Sequence, residues 1–294
     1  MIRRTRAFAA AFLAACLLAP LCLLAACGER AQSANPALWE VEGAAGQRGW
    51  LFGTIHSAPQ PLAWKTGPVS EALAQADEIV VEVGNIADDT EVAATFARLA
   101  RASGKPPLSQ RVPAEQRADL AGLLEQTGHE DGDFSAIDTW AAALTLARGT
   151  KGSGDARNGV DRAVIALAGK RPVIELEGAT TQLGLFDALP EREQRDLLVA
   201  VIEEAGHPET DLSQSWRSGD MAAIEAETRR GLLADPELRA VLFTGRNRAW
   251  TKRIAQRLDD GHHPFVAVGA AHMAGPDGLV AMLRTRGYTV TRIE

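Results

Sequence analysis

The strand-forming runs of this sequence gather toward its two ends, and that placement limits the fold more than any other feature. Residues 38–41, 50–53 and 78–83 are short apolar or β-branched runs, and 265–268 and 288–293 close the chain in the same style. A glycine-rich connection, 43–49, joins the first two as a hairpin, and residues 68–76 carry helical patterning before the third. Between the two groups, 88–102, 113–126, 136–148 and 160–168 place apolar residues three and four apart, as amphipathic helices require. One further strand is expected over 172–176, then helices over 191–205, 221–232, 236–242, 244–258 and, between the final strands, 278–286. Strands at both ends with helices between point to two termini that share one sheet. The expectation is one α/β domain, 38–294, whose central mixed sheet is formed by N- and C-terminal strands around a large helical insertion in the middle.

Cysteine placement then narrows both chemistry and address. All three cysteines, Cys16, Cys22 and Cys27, lie within the first 27 residues. The body therefore has no thiol for a disulfide, a zinc or iron–sulfur site, or a nucleophile. Arg3, Arg4 and Arg6 precede an apolar run, 7–27, broken only by Pro20, which is the pattern of a secretory signal. Its end, Leu24-Ala25-Ala26-Cys27-Gly28, resembles a bacterial lipobox. On that reading residues 1–26 are removed, Cys27 is lipidated, and 28–37 form a tether. Leu13-Ala14-Ala15-Cys16 fits the same pattern, but hydrophobic residues follow where a mature start should be polar. The competing reading is an uncleaved anchor helix. Acyl chains contribute about 0.8 kcal/mol per buried methylene, so two or three of them hold a protein on a membrane. Gly28 is not the aspartate associated with inner-membrane retention, so the expected address is the periplasmic face of the outer membrane. Loss of three arginines moves the formal net charge from −7 to about −10. Such a surface repels phosphate backbones and argues against a nucleic-acid partner.

Two of the six histidines share one local context. Trp50-Leu51-Phe52-Gly53-Thr54-Ile55-His56 and Phe265-Val266-Ala267-Val268-Gly269-Ala270-Ala271-His272 are each an apolar strand followed by Gly-x-x-His. Glycine lets the backbone turn as the strand ends, and the imidazole arrives at the carboxyl edge, where open α/β sheets bind ligands. Alternation along 78–83 puts Glu82 on the same face as Val80, and a carboxylate on an inner strand needs a cation, a donor or a metal. Two imidazoles and a carboxylate suffice to hold a divalent ion, which lowers the pKa of bound water and polarises a carbonyl. A solvated edge glutamate is the simpler alternative for Glu82.

The paired Gly-x-x-His segments, with Val81-Glu82-Val83 after the first, resemble the TraB/GumN family, which includes the Tiki metalloproteases. Gly159-Val160-Asp161, Leu176-Glu177 with Gln182, Arg246-Asn247 and the run from His272 through Gly278 occur in the family's order, so the resemblance spans nearly the whole mature chain. It implies a divalent-metal-dependent peptidase whose paired histidines and a glutamate form the site. Two positions depart from the family pattern: Gly245 stands where glutamate is frequent, and Glu82 is followed by Val83-Gly84 where an acidic residue often comes second.

The remaining candidates follow from position. Asn247, Trp250, Ile254 and Leu258 share one helical stripe, so Asn247 faces inward and needs a hydrogen-bond partner. Arg246 beside it can hold a carboxylate bidentately. Glu177 ends its strand as Glu82 does, and reads either as a general base or as a partner orienting a histidine. Asp161 reads equally as an early-helix charge. His262-His263 lie in a turn, and His129 and His207 read as structural. No His-Glu-x-x-His or Gly-x-Ser-x-Gly occurs. The expected function is a metal-dependent hydrolase of a peptide or similar envelope substrate. Its metal ligands are His56, His272 and Glu82, Glu177 or Glu82 handles protons, and Arg246 and Asn247 position substrate. The ion is one such as Mn, Co or Zn. The alternative is a non-catalytic binding or scaffolding protein that uses the same cleft for a peptide or polysaccharide.

Overall fold

The computed structural model describes residues 31–84, 89–150, 154–206 and 212–294. The signal, Cys16, Cys22, Cys27 and His207 lie outside them. The strands are β1 (Gln32–Ser33), β2 (Leu38–Glu42), β3 (Arg48–Thr54), β4 (Leu62–Ala63), β5 (Glu78–Val81), β6 (Val173–Glu175), β7 (Pro264–Gly269) and β8 (Thr289–Arg292). Six of them form one mixed sheet in the order β6-β5-β7-β3-β2-β8. The four strands from β6 to β3 run parallel, and β2 pairs antiparallel with both β3 and β8. Strands from the two ends of the chain thus interleave, with β7 between β5 and β3, as the distribution of strand-forming runs requires.

Side-chain alternation gives the sheet two buried faces. Phe52, Ile79, Val81, Phe265 and Ala267 enter one core, with Val69, Ala72 and Leu73 of the Gly67–Gln75 helix and Val160 and Val164 of the Val160–Ala166 helix. Leu51, Val80, Val266 and Val268 enter the other, under Trp250, Ile254 and Leu258 of the Gly245–Asp259 helix and Leu279 and Leu283 of the Leu279–Thr285 helix. The helical insertion has a separate core, in which Leu120, Trp140, Leu146, Leu198 and Leu238 are 1% exposed or less.

Several boundaries differ from the sequence reading. Of the expected tether, residues 32–37 lie on the domain: β1 pairs with β4, and Asn35 donates its N–H to Arg217 O at 2.7 Å. A helix over Ala179–Asp187 follows Gly178, whose φ of 80° turns the chain out of β6. Helices expected separately over 236–242 and 244–258 form one continuous rod, Pro236–Arg239, a π-turn at Ala240–Thr244, then Gly245–Asp259. The gap expected at residue 243 is bridged: Gly245 has helical φ and ψ and its N–H donates to Ala240 O, the five-residue bond of a π-turn. Among the described residues no helix is long and apolar enough to cross a membrane.

Phe52 is fully buried, with ring centroids of Trp64, Phe265 and Trp216 at 5.6, 5.5 and 6.4 Å. Phe52→Ala should lose about 3–5 kcal/mol of unfolding free energy, read from urea denaturation.

Candidate functional site

Parallel pairing of β3 with β7 aligns Gly53 with Val268 and Thr54 with Gly269, so the two Gly-x-x-His segments leave the sheet side by side. A Cβ on Gly53 would lie 2.9 Å from both Cα and Cβ of Ala270, so only glycine lets the first segment press against the second. Trp216 Nε1–H donates to Gly53 O at 2.7 Å and fixes the end of β3. Beyond β3, Val160 N–H donates to Ile55 O at 2.8 Å, and a Cβ on Gly159 would sit 2.4 Å from His56 O. That close seam delivers Asp161, whose Oδ2 is 2.6 Å from His56 Nδ1.

His272 occupies a short 3-10 turn, Ala270–Met273, and is 8% exposed. Asn247 fixes its tautomer. The amide Nδ2 donates to Asp277 O at 2.7 Å, a carbonyl that can only accept, so Oδ1 faces His272 Nδ1 at 2.6 Å. The imidazole proton therefore sits on Nδ1, and Nε2 keeps its lone pair, 3.4 Å from Arg246 Nη1. Phe243 stacks on the ring at 5.1 Å and Trp250 tilts against it at 4.6 Å. Burial pushes the His272 pKa down to about 4, which keeps the ring neutral at pH 7. His56 is its opposite: the hydrogen bond to Asp161 holds its pKa above the ordinary histidine value, and its side chain is 74% exposed.

The carboxylates converge through one arginine. Leu176 N–H donates to Val81 O at 2.7 Å, and Glu177 and Gly178 N–H both donate to Glu82 O at 3.1 Å, so Glu177 is carried next to Glu82. Arg246 Nε lies 3.0 and 3.1 Å from the two oxygens of Glu177, and Nη2 lies 2.9 Å from Glu82 Oε2. The guanidinium rests on the Trp250 ring at 4.5 Å, and Trp250 Nε1–H donates to Glu177 Oε1 at 2.9 Å. Glu82 Oε1 accepts from Gly269 N–H at 2.8 Å. Burial acts to raise the Glu82 carboxyl, but His272, Arg246 and His56 with the Gly269 N–H outweigh it and leave the pKa below the usual carboxylate value. Because His272 is neutral at pH 7, Arg246 is the permanent charge in that set.

All six sequence-chosen residues thus lie at the carboxyl edge or on the helix beside it. Arg246 and Asn247 are engaged with protein groups, Arg246 with two carboxylates and Asn247 with His272. Phe243, which sandwiches His272 with Trp250, had not been singled out from the sequence; its signal is the seven-residue spacing that returns a helix to one face. Both imidazoles suit a metal ion: each has Nδ1 committed to a protein acceptor, the usual way a ligating histidine is oriented. Ionised Glu82 retains lone pairs beyond the two donors it accepts. The three are not drawn to within 4.8 Å of one another. Among the described residues, the sets that are this close are Asp77, Glu78 and His262, and Glu193, Asp235 and Glu237. In the first, at the far end of β5, Glu78 is already held through two nitrogens of Arg257.

Fold and site together define an α/β protein with a histidine, carboxylate and arginine centre where two parallel strands end. The sequence profile of the TraB/PrgY/gumN family matches residues 37–292, and the chain belongs to that family. It is 28% identical over 243 residues to a protein named Uncharacterized protein YbaP from Escherichia coli (strain K12), covering 80% of this chain and 87% of that one. A protein of the same name from Shigella flexneri matches with the same identity and coverage. No solved structure matches significantly.

The His272 pKa fixes a direction for acid stability. The unfolded chain protonates this histidine near 6.5 and the folded chain only near 4, so stability is full above 6.5 and is lost as pH falls through that window. By pH 4.5 the loss from this group is about 2 kcal/mol. His272→Gln should be less acid-sensitive by that amount in urea midpoints at pH 7 and 4.5. Equal sensitivity in the two proteins would contradict a neutral buried ring.

Proposed function

We propose that this chain is a metal-dependent hydrolase that cleaves an amide bond in a peptide, held by a lipid on Cys27 at the periplasmic face of the outer membrane. The observation that carries the reading is the matched orientation of the two imidazoles: Asp161 and Asn247 take the Nδ1 positions of His56 and His272 and leave both Nε2 atoms for an ion. His56 and His272, with Glu82, would hold a divalent ion such as Mn, Co or Zn. A bound ion of this type supplies an activated water and polarises the scissile carbonyl.

The other groups have separable tasks. Glu82, kept ionised by Arg246 and the Gly269 N–H, suits holding a charge better than shuttling a proton near neutral pH. Glu177 is held by the same arginine and by Trp250 Nε1–H, and is the second candidate for proton handling. Exposed His56 marks the open side, from which substrate approaches, and buried His272 the closed side.

A second reading has its own support. Arg246 already pairs with both carboxylates, so each has a cationic partner without an ion, as in a non-catalytic binding or scaffolding protein for a peptide or polysaccharide. Metal retention separates the two. After dialysis against Mn, Co or Zn and removal of free ion, the wild type should hold one ion that His56→Ala and His272→Ala each lose, together with at least a 100-fold drop in cleavage of a peptide library. Wild type that retains no ion sinks the hydrolase reading. Asp161→Asn should weaken metal binding about 10–100-fold, because it withdraws the acceptor that orients His56.

A further inference from the structure

The helical insertion holds a second group of carboxylates that the site at the sheet edge does not use. Glu193, in the first turn of the Glu191–Ala205 helix, comes together with Asp235 and Glu237, which flank Pro236 at the start of the rod leading to Arg246. One ligand oxygen from each lies within 4.8 Å of the others. The Glu193 side chain is 6% exposed, and its Oε2 is buried with no hydrogen-bond partner among the described residues. Compensation nearby is thin. Arg192 pairs with Glu193 Oε1, and the same guanidinium lies 3.8 Å from Glu237 and 4.0 Å from Asp196. Its side chain is 70% exposed, so one solvated cation is divided among three carboxylates.

A buried carboxylate with one oxygen left without a donor, grouped with two more carboxylates, is costly as it stands and is relieved by a hard cation. We propose that Glu193, Asp235 and Glu237 form a divalent-cation site for Ca2+, independent of the histidine site. Donors that are all oxygen select a hard ion over a transition metal. Asp235 is half-buried and Glu237 exposed, leaving room for the waters that complete the six to eight ligands Ca2+ takes. Asp235 Oδ1 also caps the helix by accepting from Leu238 N–H at 2.9 Å, which leaves Oδ2 for the ion. The ion would clip the insertion to the rod whose next two turns carry Phe243, Arg246 and Asn247, and so tie the insertion to the helix that orients His272.

Calcium binding to purified full-length protein, stripped with chelator and dialysed against CaCl2 at about 1 mM, tests the site. One Ca2+ per chain should bind, survive in the His56→Ala/His272→Ala double variant, and weaken at least tenfold in Glu193→Gln and in Glu237→Gln. Ca2+ should raise the wild-type Tm by about 2–5 °C. Glu237 is exposed, so Glu237→Gln should fold normally, and in chelator it should melt at or above wild type because it removes a like charge. In Ca2+ the order should reverse. Absence of bound Ca2+ in the wild type, or binding unchanged in both glutamine variants, overturns the proposal. So does an order of melting that Ca2+ does not change.

Discussion

The contact on which the rest of the site depends is the guanidinium of Arg246 between Glu82 and Glu177. Both carboxylates end parallel strands, both are withdrawn from water, and among the described residues neither has another formal cation bonded to it. Removing one partner of such a buried set typically costs 3–5 kcal/mol, since a charge is left without compensation. Lysine cannot replace the arginine. A single ammonium would not reach two carboxylates and an indole face with one planar group. The same arginine brings the Gly245–Asp259 helix into register with β5 and β6, so the electrostatics of the site and the packing of one sheet face are a single problem.

Around that contact the two histidines are built alike and placed unlike. Each Nδ1 is taken by an acceptor delivered from a distant part of the chain, Asp161 for His56 and Asn247 for His272. One ring is packed against Phe243 and Trp250 and kept neutral by burial, while the other is open to solvent and has its pKa held above the ordinary histidine value by Asp161. An ion shared by such a pair would meet one buried, neutral ligand and one that holds its proton more tightly than a free imidazole does.

Much of this was legible from the sequence because it rests on local pattern. Apolar runs ending in Gly-x-x-His identified β3 and β7, alternation placed Glu82 on the Val80 face, and helical spacing put Asn247 with Trp250 inside. What could not be read was pairing at a distance. Nothing in the residues around Arg246 says that its partners would be Glu82 and Glu177, because those bonds depend on β6 adding beside β5. The Ala179–Asp187 helix was missed since none of its residues is fully buried, so it carries no strong apolar stripe. The expected gap between residues 242 and 244 closed for a related reason: burial of Leu242 and Phe243 carries the helix through it.

That continuity gives the π-turn a role as a phase shifter. A helix advances about 100° per residue, and the widened turn at Ala240–Thr244 holds one residue more than an α-turn would. Everything beyond it is therefore rotated by one position relative to the Pro236–Arg239 segment, where Leu238 faces the insertion core. With the turn in place, a single rod can point Leu238 and Leu242 into the insertion and Arg246, Asn247 and Trp250 at the sheet edge. Were it relaxed to plain α-helix by loss of one residue, the insertion could remain packed only with the site residues turned aside, or the reverse. The spare residue decouples two cores that one straight helix would force to share an angle.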